Sequence, residues 1–193
     1  MKLPILAYGH PLLRQPCTNI SKEYPELEKL VAAMWETMHY ANGCGLSAPQ
    51  IGHAIRLFIV DSQTTYSNLA PADRHGYFAE GDTGIQQTFI NAHIVQRSAE
   101  HWEDEEGCLS IPGLSRKIRR PWSITITYYD LQFRQHRQTF SGATARMIQH
   151  EYDHTEGMLY IDYLKPLARK LMESKLARVA KGQVRAKYPM KFV

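Results

Sequence analysis

Two histidines and a glutamate towards the end of the chain have the spacing that metal-assisted hydrolysis needs. His150, Glu151 and His154 form an H-E-x-x-H motif. Residues four apart lie on one face of a helix, so both imidazoles can bind the same metal ion. The chemistry also needs an open coordination position and a base beside the bound water, a role that fits Glu151. The motif needs support from its surroundings, because the chain holds nine histidines.

The neighbouring sequence places this motif on a helix. Residues 143–149 contain neither Gly nor Pro, and Gly157 follows His154 by three positions. Glycine just past the last helical turn is a common helix end. We therefore predict a helix that begins near residue 143 and ends soon after His154.

A catalytic metal held by two histidines usually has a third protein ligand. Downstream of the motif the candidates are Glu156, which is too close to fold back, and Asp162. Upstream, Cys108 offers a thiolate, which binds Fe²⁺ or Zn²⁺ strongly. The residue types alone leave this choice open.

The small residues of the segment 43–52 (GCGLSAPQIG) form a second feature of interest. They let the backbone approach a ligand and expose its N–H and C=O groups. The segment follows a helix and has no P-loop lysine, which argues against phosphate binding. It is either a simple turn or a backbone-exposing loop that ends in the side-chain amide of Gln50.

Composition and length describe an ordinary globular protein. With 193 residues, 44% hydrophobic and 22% charged, we expect a single domain over residues 1–193. No apolar run is long enough to span a bilayer, and the first ten residues do not resemble a signal peptide. Three widely spaced cysteines do not form a disulfide framework, so we expect a cytoplasmic location.

Positive charge is concentrated at the C-terminal end. Residues 167–193 hold eight Lys or Arg and one acid, Glu173. The segment is either a solvated helix face or a patch for an anionic partner such as RNA.

Hydrophobic periodicity predicts the remaining elements. We expect an amphipathic helix at residues 25–40 and a terminal basic helix after Pro166, at residues 167–193. The five expected strand segments are 55–61, 87–98, 117–120, 122–129 and 134–140. Residues 3–17 are expected to be irregular, 62–86 to be a polar loop, and the acidic run 102–106 to be a solvated turn.

Three segments together resemble the motifs of the peptide deformylase family. They are 43–50 (GCGLSAPQ), 106–110 (EGCLS) and 150–154 (HEYDH), in the family's order and at compatible separations. The resemblance extends from the region of Leu6 to Pro166. One difference is Ser47, where the family often has Ala, and a second is that the 62–86 loop is longer than in many members.

The resemblance implies an α+β fold with antiparallel β-sheets packed around a central metal-binding helix, and a C-terminal helix. It implies a hydrolase of protein biosynthesis that removes the N-formyl group from the N-terminal formylmethionine of newly synthesised proteins and releases formate. The metal ligands would be Cys108, His150 and His154. Fe²⁺ would be the native ion, with Zn²⁺, Ni²⁺ or Co²⁺ in the isolated protein.

The same resemblance implies roles for further residues. Glu151 would be the general acid and base, and the Gln50 amide and the Leu109 N–H would form the oxyanion hole. The substrate-binding residues would be Gly43, Cys44, Gly45, Glu106, Arg120 and Met147. The partners would be N-formylmethionyl nascent peptides and, through segment 167–193, the ribosome, with neither membrane nor DNA involved.

Two other functions remain open. A metalloprotease or other amidase using the same helix would cleave internal peptide bonds, although no downstream third ligand is evident. A non-enzymatic RNA- or ribosome-binding protein with a structural metal would not need Glu151.

Overall fold

Strands and helices of the computed structural model are described for residues 2–193. The strands are β1 (Ile5–Leu6), β2 (Gly45–Ser47), β3 (Leu57–Asp61), β4 (Gln86–Arg97), β5 (His101–Cys108), β6 (Ile111–Pro121), β7 (Ser123–Tyr129), β8 (Gln135–Ser141) and β9 (Met190–Lys191). The helices are α1 (Leu27–Tyr40), α2 (Ser62–Asn68), α3 (Pro71–Arg74), α4 (Gly142–Thr155), α5 (Pro166–Lys170) and α6 (Glu173–Ala180). Short 3-10 turns lie at Pro11–Arg14, Ala48–Ile51 and Tyr160–Tyr163.

The largest sheet has five strands in the order β2-β3-β4-β7-β8, all antiparallel. Its second strand, β3, is buried on both faces. Phe58 and Val60 belong to the core that includes α4, whereas Leu57 and Ile59 belong to the core that includes α1. Since successive strand residues point to opposite faces, α1 and α4 cover the two sides of the sheet.

Helix α4 lies between this sheet and the β5–β6 hairpin. Ala145 and Ile148 pack into the sheet core, while Arg146 and Asp153 of the same helix reach hairpin side chains. The α+β fold with a central helix, predicted above, is confirmed.

Helix α4 begins one residue before its predicted start and ends at Thr155, as predicted. Gly157 follows with φ +73°. A Cβ at Gly157 would lie 2.7 Å from the Arg14 carbonyl oxygen, so both the turn and the close approach require glycine there.

Helix α1 and strands β3, β4, β7 and β8 confirm five of the predicted elements to within about two residues. The strand predicted at 117–120 is the end of a longer strand, β6.

The prediction of a solvated turn at 102–106 is wrong, because these acids lie in strand β5. Across the hairpin, Glu103 is opposite Arg119 and Glu105 is opposite Lys117. Opposite charges in facing positions stabilise a strand pair, which offsets the low strand preference of acidic residues.

The predicted 62–86 loop contains two short helices, α2 and α3. The Asp61 carboxylate accepts a hydrogen bond from the Thr64 N–H at 2.8 Å and so caps α2. Pro71 occupies the first turn of α3, where its missing N–H costs nothing.

Both chain ends differ from the prediction. The segment expected to be irregular contains β1, which pairs in parallel with β9 at Ile5–Met190 and Leu6–Lys191. The single basic helix is instead divided into α5 and α6, and Met172, between them, is fully buried. None of the helices in residues 2–193 is long and apolar enough to cross a membrane.

Candidate active site

Cys108, His150 and His154 come together between α4 and the end of β5. One ligand atom from each lies within 4.8 Å of the others. Cys108 Sγ is 3.3 Å from His154 Nε2, and the two imidazole centroids are 5.2 Å apart. Helical spacing places the two rings side by side, and a register shift between Gly107 and Cys108 turns the thiol towards them.

The other acids considered as third ligands are engaged elsewhere. Glu156 pairs with Arg56, and Asp162 accepts hydrogen bonds from Arg169 at 2.9 Å and from the Leu159 N–H at 2.8 Å. Of the three candidates, Cys108 is the one that the fold brings to the histidines.

The ring nitrogens of the histidines are oriented for a shared ligand. The His150 Nδ1–H donates to the Glu106 carboxylate at 3.1 Å, which leaves Nε2 with its lone pair towards the cluster. His154 Nδ1 is buried and has no partner in residues 2–193. Two imidazoles and one thiol form a donor set that suits Fe²⁺ or Zn²⁺.

Glu106 is the centre of a buried ionic network behind the cluster. Its carboxylate accepts hydrogen bonds from Arg120 at 2.6 and 2.9 Å and from Arg146 at 2.6 Å. Arg120 also donates to Asp153 at 2.8 Å. Burial acts to raise the pKa of Glu106, but the His150 hydrogen bond and the Arg120 charge outweigh it and lower that pKa. Glu106 therefore stays ionised and orients His150.

This geometry corrects the expectation that Arg120 binds substrate. Its side chain is 2% exposed and forms ion pairs with Glu106 and Asp153. It does not line the cleft. Arg120 pairs with Glu106, the residue that orients His150. Sequence spacing cannot reveal that a residue is buried behind the cluster.

Glu151 lies beside the cluster and is 4% exposed. Burial raises the pKa of Glu151 to about 7. One carboxylate oxygen, Oε2, has no hydrogen-bond partner in residues 2–193. A Cβ on Gly45 would lie 2.6 Å from Glu151 Cγ, so glycine is needed for the strand to pass this close. A carboxyl with a pKa near neutrality can both accept and donate a proton.

Gln50 is held at both ends of its amide. Oε1 accepts hydrogen bonds from the Ser47 N–H and the Ser47 hydroxyl, each at 2.9 Å. The NH₂ group donates to Ser110 Oγ at 3.2 Å and approaches Cys108 Sγ at 3.5 Å. These bonds fix which end of the amide faces the reacting centre.

A cleft of about 680 Å³ opens onto these groups. It is lined by Leu109 and by five of the six expected substrate residues, namely Gly43, Cys44, Gly45, Glu106 and Met147. The backbone N–H of Leu109 makes no turn or loop hydrogen bond in residues 2–193. Strand β2 is an edge of the large sheet, so its backbone is open for pairing.

Sequence reasoning missed several residues of the site. Tyr77, Arg146 and Tyr188 line the cleft, and Ser110 supports Gln50. For Arg146 a signal was present, because it lies four residues before His150 and so shares its helix face. Tyr77 and Tyr188 carry no spacing signal.

A cysteine, two histidines and a buried glutamate around one cleft are the components of a metal-dependent hydrolase. A model of the polypeptide deformylase family matches residues 2–170. The peptide deformylase of Christiangramia forsetii is 42% identical over an alignment covering 100% of this chain and 96% of the relative. That of Flavobacterium psychrophilum is also 42% identical, covering 100% and 98%.

Solved structures agree with these sequence matches. The crystal structure of peptide deformylase from Ehrlichia chaffeensis gives a TM-score of 0.80 at 30% identity, covering 95% of this chain and 99% of that chain. The chain belongs to the polypeptide deformylase family. It is accordingly an enzyme that hydrolyses an N-formyl amide, and metal-dependent deformylation is the general function of the family.

Proposed function

We propose that this enzyme removes the formyl group from the N-terminal formylmethionine of newly synthesised proteins and releases formate. The observation that carries the proposal is the buried Glu151, which has a carboxylate oxygen without a partner in residues 2–193 and lines the same cleft as Cys108 and His150, beside a strand edge. An extended peptide can pair with that edge and place its N-terminus at the cluster.

Cys108, His150 and His154 fit a single divalent ion, because each has a donor atom turned towards the others. We propose Fe²⁺ as the native ion, with Zn²⁺, Ni²⁺ or Co²⁺ in its place in isolated protein, since sulfur and imidazole ligands suit all four. Such an ion, when bound, lowers the pKa of water and polarises a carbonyl.

Glu151 would move the protons of the reaction. It takes a proton from the attacking water and delivers it to the amine nitrogen as the C–N bond breaks. The NH₂ group of Gln50 and the N–H of Leu109 donate hydrogen bonds to the oxygen that becomes negative at the formyl carbon. The products are formate and a free methionine amine.

The rest of the cleft would bind the substrate. The backbone of Gly43 to Gly45 pairs with the peptide, and Cys44 and Met147 contact the methionine side chain. Met147 is apolar and 8% exposed at the cleft surface, which suits an unbranched apolar side chain.

The test compares substrates with anaerobically purified, Fe²⁺-loaded enzyme. Formate should be released from formyl-Met-Ala-Ser, while acetyl-Met-Ala-Ser and unblocked peptides with internal Met-Ala bonds should remain intact. Cleavage of internal bonds would instead favour the metalloprotease alternative.

We also propose that the protein acts in the cytoplasm and docks on the ribosome through the basic segment 167–193. Lys170, Lys175, Arg178 and Lys181 are exposed on or beside α5 and α6. Sedimentation with ribosomes at low salt, lost on replacing these four by Ala, would support docking, and unchanged sedimentation would contradict it.

A further inference from the structure

The C-terminal segment after α6 returns to the active-site cleft and forms one of its walls. Arg185, Lys187 and Tyr188 line the cleft of about 680 Å³ that also contains Cys108 and Glu151. The Tyr188 hydroxyl donates a hydrogen bond to the Leu109 carbonyl at 2.8 Å. Pairing of β9 with β1 holds the chain immediately beyond. The wall is therefore anchored next to the reacting centre.

The wall is positively charged. Arg185 and Lys187 are exposed, and neither forms an ion pair within residues 2–193. A second cavity of about 690 Å³ shares Arg185 and residues 112–114 of strand β6 with the cleft, and adds Lys175 and Arg178. We call the surface formed by these four cations the cationic groove, which consists of Lys175, Arg178, Arg185 and Lys187.

Few acids oppose this charge. The acids that line the cleft are Glu105, Glu106 and Glu151, and no acid lines the second cavity. Glu106 is neutralised by two arginines, and Glu151 is buried at the reacting centre. Glu105 is exposed and accepts a hydrogen bond from Ser115 at 2.7 Å. The outer cleft therefore carries a net positive charge.

The direction of the substrate follows from strand β2. Gly45 is next to Glu151, and Gly43 is next to Leu109, whose Cδ1 would be 2.8 Å from a Cβ there. The cleft continues from Gly45 back to Ala41 but does not include Ser47. A peptide with its formyl group at Glu151 must therefore extend past Gly43. On that side lies Leu109, whose carbonyl accepts the hydrogen bond from Tyr188.

We propose that the cationic groove makes the enzyme select formyl peptides with acidic side chains at the third to fifth positions. The proposal rests on the deformylase function proposed above. Each exposed cation–carboxylate contact is individually weak, so the selection works through several screened contacts and through KM.

The experiment measures kcat/KM for formate release from formyl-Met-Ala-Asp-Glu-Asp-amide and formyl-Met-Ala-Asn-Gln-Asn-amide, which differ in charge alone. The wild-type enzyme should favour the acidic peptide by about three- to ten-fold, mainly through a lower KM. Arg185→Ala/Lys187→Ala removes the two groove cations that line the cleft and should lower the ratio towards one. The control Lys22→Ala/Arg137→Ala removes the same charge from exposed positions that line neither cavity and should keep the ratio.

Two results would overturn the groove proposal alone. They are equal rates on both peptides by the wild-type enzyme, and a ratio that falls equally in the control, which would indicate net charge acting at a distance. Failure of the metal-loaded enzyme to release formate from either peptide, or from formyl-Met-Ala-Ser, would instead overturn the underlying function.

Discussion

At the scale of single residues, the two ends of the Gln50 amide are distinguished by serines. Ser47 donates to Oε1, so the NH₂ group must face Ser110 and Cys108. Ser47 donates to Gln50 through both its N–H and its hydroxyl. Its hydroxyl adds a second donor to Oε1 and so strengthens the orientation that an oxyanion donor needs.

Replacing Gln50 by Ala should lower kcat by about 10²- to 10³-fold, because one donor to the developing oxyanion is lost. Metal content should be unchanged. Ser110→Ala removes a partner of Gln50 and keeps the amide donor, so its loss should be below about ten-fold. Steady-state kinetics with metal analysis checks both, and equal losses would contradict the role of the amide.

The residues of the site differ in how far sequence alone could identify them. His150, Glu151 and His154 follow from helical spacing, which is local. Cys108 is distant in sequence and reaches the histidines through the hairpin. Residue types alone could therefore not distinguish it from Asp162 as the third metal ligand. The support given by Glu106 and Arg120 depends on burial, which no spacing reveals.

At the scale of elements, helix α4 is joined to the β5–β6 hairpin by buried charges. Arg120 of β6 bridges Glu106 of β5 and Asp153 of α4. Burial acts to lower the pKa of Arg120, but the two carboxylates outweigh it and raise that pKa, so the guanidinium stays charged. Removing this cation would leave two buried carboxylates with fewer partners.

Arg120→Met should therefore lower the free energy of unfolding by about 3–5 kcal/mol. Arg119 is its exposed neighbour on the same strand, and Arg119→Met should change stability by no more than about 0.5 kcal/mol. Urea denaturation measures both variants. If they are equally stable, the network does not join the hairpin to the helix.

Glycine can be required by a positive φ or by a close approach of other atoms, and Gly76 and Gly157 allow the two reasons to be compared. Both have positive φ, +73° and +74°, but a Cβ on Gly76 meets nothing within 4 Å, whereas one on Gly157 meets the Arg14 backbone. Gly76→Ala should cost about 1–2 kcal/mol for the backbone conformation alone. Gly157→Ala should cost clearly more in thermal denaturation, and similar costs would show that α4 can shift away from Arg14.

Elements with a strong local pattern were predictable, and those stabilised by distant partners were not. Helix α1 and strand β3 carry clear hydrophobic periodicity. Strand β5 is a run of acids that becomes a strand because basic residues of β6 face it. Strands β1 and β9 have two residues each and exist only because the chain ends meet.

At the scale of the whole molecule, Asp162 connects segments distant in the chain. Arg14 from the N-terminal turn and Arg169 from α5 both donate to its carboxylate, as does the Leu159 N–H. Burial acts to raise the pKa of Asp162, but hydrogen bonds from Arg14 and Leu159 outweigh it and lower that pKa.

Asp162→Asn should therefore reduce stability near pH 7 by about 1–3 kcal/mol. Because the folded-state pKa is below the unfolded value of about 3.9, the stabilisation is complete above that pH. It is lost as pH falls through the folded-state pKa, so the two proteins should converge at lower pH. Unfolding free energies across pH check this, and a constant difference would contradict it.

We propose that Glu151 moves protons beside a metal held by Cys108, His150 and His154. The most direct measurement is formate release from formyl-Met-Ala-Ser by wild-type and Glu151→Gln protein, with metal content determined on each sample. We predict one equivalent of metal in both and a rate lower by about 10²-fold or more in the variant. Full activity in the metal-loaded variant would contradict the proton-transfer role of Glu151.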